Sequence, residues 1–255
     1  MAITGTKEWA VKNINIGQGC EHGCRYCYSR YNSVTRFKQC SAEQFISGTA
    51  LNTEKIDGSF PKYDGIVMYP SQHDITPSIL SEYLVVLRKL LEAGNKVLIV
   101  TKPHLDCIKV ITESYEEFRR QIMFRFTIGS MDDGVLKFWE PNAPHFKERW
   151  QALKYAFCKG YKTSVSAEPY LDNQTKHLYE FLRMWVNESF WIGKLNDFKN
   201  RVDLKDVTKD QVAVYVKPLL KAQSDKAVLK LYDQLKGQPF IQWKDSIREI
   251  IKKTY

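Results

Sequence analysis

Hydrophobic and polar positions along the chain switch repeatedly between a period of two and a period near 3.6. Val11–Ile16 alternates as a half-buried strand does, and Gly65–Tyr69 is a short apolar run of strand length. Lys96–Thr101 (KVLIVT) is β-branched and predicts a buried parallel strand. Ile122–Ile128 (stopped by Gly129), Lys162–Ala167 (stopped by Pro169) and Phe190–Ile192 complete a set of six strands. Between them lie helical patterns: Ser41–Lys55 with Ser41 as N-cap, Ser78–Ala93 closed by Gly94, Leu105–Arg120, Pro144–Lys159 ended by Gly160, and Thr175–Asn187. From Thr208 onward the pattern reads as helical, interrupted by Pro218, Gly237 and Pro239.

Strands alternating with helices predict an α/β fold with a parallel sheet, because parallel neighbours need crossover connections. Six such units suit an incomplete barrel. The expected organisation is a core over residues 1–195 and a helical extension over 196–255 packed on it, forming a single domain. In sheets of this kind chemistry gathers at the C-terminal ends of the strands, so the residues just after each strand are the first candidates.

With 255 residues, 44% hydrophobic and 26% charged, the chain has globular composition and enough length for a large core. No uninterrupted apolar run reaches spanning length, and Met1–Lys7 has no apolar leader pattern. A cytoplasmic protein is expected, its six cysteines reduced thiols or ligands. The net charge is +9, and residues 194–255 carry 14 basic against 8 acidic side chains. That tail suits contact with a polyanion or simply a solvated lysine-rich face.

Directly after the first strand comes Gly17-Gln18-Gly19-Cys20-Glu21-His22-Gly23-Cys24-Arg25-Tyr26-Cys27-Tyr28. Three thiolates in one short loop suit three irons of a [4Fe–4S] cluster and leave the fourth iron open. Zinc is the alternative, with His22 or Cys40 as a fourth ligand, although neither has ordinary finger spacing. Cys107, Cys158 and Cys40 read as ordinary small thiols.

The spacing Cys20-x3-Cys24-x2-Cys27, with Tyr26 before the third cysteine and the βα alternation around it, resembles the radical SAM superfamily. The resemblance implies a partial (β/α)6 barrel of the TIM type with a C-terminal helical extension. It implies a [4Fe–4S] cluster held by Cys20, Cys24 and Cys27, which serve as both metal ligands and catalytic residues. S-adenosylmethionine would be the second cofactor, cleaved reductively to methionine and a hydrogen-abstracting 5′-deoxyadenosyl radical, with flavodoxin or ferredoxin as electron donor. Tyr26, Ser71 in Met68–Asp74, Lys102 in Thr101–His104, and Ser130 after the fourth strand are the implied cofactor contacts.

Within that superfamily the chain is similar to the spore photoproduct lyase branch, with one departure. The branch carries a cysteine two places before its Ser71-like serine, and this chain has Tyr69 there. Repair of a thymine lesion is therefore in doubt. Compact size and layout resemble the queuine lyases, which implies a small modified base split into its cyclopentenediol and 7-aminomethyl-7-deazaguanine. A deazaguanine offers donors that carboxylates accept and a flat face for aromatic contact. Asp133, Glu140, Glu168 and Asn196 are the candidate substrate contacts, with Asp172 and Trp191 nearby. The alternatives are action on DNA or tRNA, and a non-enzymatic zinc or iron–sulfur module. Peptide modification is disfavoured because no cysteine follows Cys158.

Overall fold

The computed structural model describes residues 5–254. Among the described residues, seven parallel strands form one curled half-barrel sheet in which spatial order follows chain order. These are β1 (Lys12–Asn13), β2 (Ile66–Met68), β3 (Lys96–Thr101), β4 (Ile122–Thr127), β5 (Lys162–Ala167), β6 (Ser189–Ile192) and β7 (Ile241–Trp243). The longer helices are α1 (Leu80–Glu92), α2 (Leu105–Ser114), α3 (Phe146–Cys158), α4 (Thr175–Leu182), α5 (Asp225–Leu235) and α6 (Asp245–Thr254).

Alternation along each strand divides the molecule. Val97, Ile99, Phe124, Phe126, Val165, Ala167, Phe190 and Ile192 belong to the main core, which also takes Tyr83, Val86, Leu87, Leu90 and Leu91 of α1. The intervening positions of β4, β5 and β6 include Arg125, Thr127, Ser164, Ser166, Ser189 and Trp191, so this part of the opposite face is largely polar.

Three expectations change. The Ser41–Lys55 helix is two short helices, Ala42–Ile46 and Thr53–Asp57, separated by Ala50–Leu51, which pairs antiparallel with Gly17–Gln18. Ser41 does cap the first of them, in a capping box with Gln44. Leu105–Arg120 and Thr175–Asn187 likewise stop early and finish in tighter 3-10 turns, Glu116–Gln121 and Arg183–Trp185. The C-terminal stretch is not helical throughout: β7 joins the sheet edge beside β6, with Lys244 N–H donating to the Ile192 carbonyl at 2.9 Å. Three residues after Pro239 carry little periodicity, so neighbouring β6 decides their conformation.

Candidate active site

The cysteine loop is folded by its surroundings more than by its own sequence. Gly19 has φ +99°, and a Cβ there would lie 2.3 Å from the Gly48 carbonyl oxygen, so only glycine allows this approach. Cys20 N–H donates to Phe45 O at 2.8 Å, which ties the loop to the Ser41-capped helix. Arg25 N–H donates to Trp139 O at 2.9 Å, and Asn142 N–H donates to His22 O at 3.2 Å. Cys27 caps the helix that starts at Tyr28, its Sγ accepting from Arg30 N–H at 3.4 Å. All three thiols are free and line one cavity of about 1030 Å³.

Burial pushes the Cys20 thiol up to about 12 and the Cys24 thiol well above its ordinary range, with nearby Asp74 adding to both. Such thiols need local positive charge to ionise, and bound iron supplies it. Three free thiols converging on one cavity fit the cluster that the cysteine spacing implies.

Asp74, which the sequence reading left without a role, organises this end of the cavity. Its Oδ1 accepts from Lys102 N–H at 2.7 Å and from the Thr101 hydroxyl at 3.1 Å. Its Oδ2 lies 2.8 Å from His22 Nδ1 and 3.3 Å from Lys102 Nζ. Burial opposes its charge, but Lys102 and His22 overcome that and hold the carboxyl well below its usual range. His22 Nε2 is 2.9 Å from His104 Nε2, whose own pKa burial and His22 push down. Cys20, His22 and Asp74 place ligand atoms within 4.8 Å of one another. His22 thus bridges Asp74 and His104 through its two ring nitrogens.

The other candidates divide. Ser71 lines the cavity, its hydroxyl accepting from Asn15 Nδ2 at 3.0 Å and its carbonyl accepting from the Tyr28 hydroxyl. Lys102, Glu168 and Asn196 line it too. Tyr26 also reaches it, while its hydroxyl donates to Glu140. Glu140 is absent from the cavity wall: it is fully buried and paired with Arg149 at 2.5 Å, so it anchors the cysteine loop through Tyr26. Asp133 is also off the cavity, at a helix start where its Oδ1 accepts from Phe146 N–H at 2.7 Å. Ser130 bonds Asp172 and accepts from Asp132 N–H at 2.9 Å, an arrangement internal to the loop after β4. An acid- and hydroxyl-rich loop resembles a binding loop in sequence, and here those groups are spent on one another and on capping.

Sequence reasoning missed the far wall. Trp9 and Lys244 line the cavity beside Glu168. Trp9 and Trp191 meet edge to face with centroids 5.6 Å apart, and the Arg125 guanidinium, off the cavity lining, lies 4.5 and 5.3 Å from those centroids, its Nε donating to Ser164 Oγ at 3.0 Å. The period-two pattern of β4 marks Arg125 as facing away from Phe124 and Phe126, which is the one signal that was present.

Comparison with known proteins gives the family. The family model described as "Radical SAM superfamily" matches residues 14–184. The chain belongs to the radical SAM superfamily. It is therefore an enzyme of a class that uses a [4Fe–4S] cluster and S-adenosylmethionine. The Uncharacterized protein ORF301 of Acidianus two-tailed virus is 28% identical over 172 residues, covering 63% of this chain and 55% of that protein. The chain thus spans about half the length of the curated relative it matches. Spore photoproduct lyase complexed with dinucleoside spore photoproduct matches with TM-score 0.51 and 15% identity, over 91% of this chain and 75% of that one. SuiB of Streptococcus suis bound to S-adenosylmethionine matches with TM-score 0.45 and 13% identity, over 70% of this chain and 39% of that one. No described helix is long and apolar enough to cross a membrane.

Proposed function

We propose that this radical SAM enzyme acts on a small modified nucleobase, queuine, and fragments it to 7-aminomethyl-7-deazaguanine by breaking a C–N bond. One observation carries the reading: a single cavity joins the three cysteines to a wall bearing Trp9, Glu168 and Asn196. When bound, the cluster and S-adenosylmethionine supply a hydrogen-abstracting 5′-deoxyadenosyl radical. Cys20, Cys24 and Cys27 hold the cluster, and Tyr26, Ser71 and Lys102 contact S-adenosylmethionine. Trp9 offers a flat face to the base, while Glu168 and Asn196 hydrogen-bond to its polar edge. A cytoplasmic setting, with flavodoxin or ferredoxin as electron donor, suits six free thiols.

The test is anaerobic incubation of the reconstituted, reduced enzyme with S-adenosylmethionine and queuine. Mass spectrometry is expected to detect 7-aminomethyl-7-deazaguanine, and 5′-deoxyadenosine without that amine would overturn the substrate. A second reading, action on DNA or tRNA, has its own support. Lys12, Lys55 and Arg201 line the cavity and have no carboxylate partner among the described residues. It predicts polynucleotide binding that weakens steeply with salt, whereas the free-base reading predicts none.

A further inference from the structure

The deepest polar group facing the cavity from the C-terminal part of the chain is Lys244, one residue past β7. Its side chain is 1% exposed and its ammonium lies 3.2 Å from Glu8 Oε1 and 3.6 Å from Glu168 Oε2. It also donates to Gly5 O at 3.0 Å and sits 4.3 Å from the Trp9 ring centroid. Glu168 comes from the end of β5, and its side chain is 21% exposed and lines the cavity. Gly193, after β6, is what lets the two meet. A Cβ there would lie 2.9 Å from Glu168 Cγ and 2.9 Å from Lys244 Cγ. Three strand ends and the N-terminal turn therefore converge on one carboxyl.

We infer that Glu168 and Lys244 form a proton-donating pair for a basic nitrogen of the substrate. The inference rests on the substrate end of the cavity proposed above. In the step, the Glu168 O–H bond breaks and a substrate N–H bond forms; the nitrogen gains one positive charge and Glu168 one negative charge. No electrons change hands. Glu168 is the catalytic residue, and Lys244 is the positioning residue that stabilises the carboxylate left behind. Burial pushes Glu168 up to about 7; Lys244 opposes that shift, and Asp245 and Glu8 add to it. Arg125 of β4 also interacts electrostatically with it. A donor poised near neutral pH gives the best compromise between being protonated and giving the proton up.

Two measurements test this. Infrared difference spectra of the full chain without its cofactors are expected to show a protonated carboxyl that ionises near pH 7. The signal should vanish in Glu168→Gln, move to higher pH by at least one unit in Lys244→Met, and return in Lys244→Arg. Should Lys244→Met not fold, Gly193→Ala separates the same pair and is expected to move the midpoint upward less strongly. A midpoint unchanged by these variants, or no carboxyl titrating near neutrality, would overturn the pair. In the loaded enzyme, Glu168→Gln is expected to lower product formation by about 100-fold and raise the ratio of 5′-deoxyadenosine to product. Wild-type turnover of queuine in that variant would also overturn it. A wild-type enzyme that makes no deazaguanine amine instead removes the substrate reading, and the infrared midpoint then decides the pair alone.

Discussion

Glu140 and Arg149 form a fully buried ion pair, linked to the cysteine loop by the Tyr26 hydroxyl and to the backbone by Arg149 donating to the Pro144 and Thr127 carbonyls. Removing one member of a buried pair strands the other charge, which costs about 3–5 kcal/mol. Arg149→Met is therefore expected to lower unfolding free energy by that amount in chemical denaturation, although Arg149 does not line the cavity. Cys20→Ser, Cys24→Ser and Cys27→Ser should behave oppositely. Each is expected to fold with near-wild-type stability as the unloaded chain yet lose most bound iron after anaerobic reconstitution, as read by iron analysis and visible absorption. A cysteine variant that retained full iron would remove that residue from the ligand set.

A cap remote from the cavity supports the thiol loop at the scale of elements. The helix Ala42–Ile46 depends on the Ser41 capping box, and its Phe45 carbonyl accepts the Cys20 N–H. Ser41→Ala is expected to cost about 1 kcal/mol locally. Native-state hydrogen exchange at the Cys20 amide should then speed up by roughly fivefold, with little change at β3 or β4. At the other edge, β7 brings Lys244 to the cavity and covers β6. Truncation after Gly237 is expected to abolish cooperative unfolding, because it bares the Ser189–Ile192 edge and leaves Glu8 and Glu168 without their ammonium.

At the scale of the whole molecule, the titration of Glu168 is expected to govern how stability varies with pH. A carboxyl pushed from 4.5 to about 7 by burial binds its proton more tightly folded than unfolded. Folded protein then holds more protons than unfolded protein between those values, so stability falls as pH rises through that window. Wild type is expected to lose thermal stability relative to Glu168→Gln as pH rises from 4.5 to about 7, read by calorimetry at fixed ionic strength. Asp74 works in the opposite sense and in a separate range. Its depressed carboxyl contributes stability above 3.8 that is lost as pH falls below that value.

The order of strands and helices, the parallel sheet and the three cysteines were legible in the chain because each rests on local information. Side-chain period separates strand from helix, and the close thiol spacing needs no distant partner. Lys96–Thr101 and Lys162–Ala167 even kept their expected bounds. The cavity's far wall was decided elsewhere. Lys244 and Glu8 stand 236 positions apart, as their numbers show, and meet only because the seventh strand closes onto the sheet edge. Glu140 and Ser130 showed the limit from the other side. Acids and hydroxyls near a strand end look alike in sequence whether they face a ligand or one another, and only the packing of Arg149 and Asp172 against them settled which. Local sequence fixes backbone periodicity because neighbours in the chain impose it, whereas partners for buried charge are chosen by three-dimensional closure.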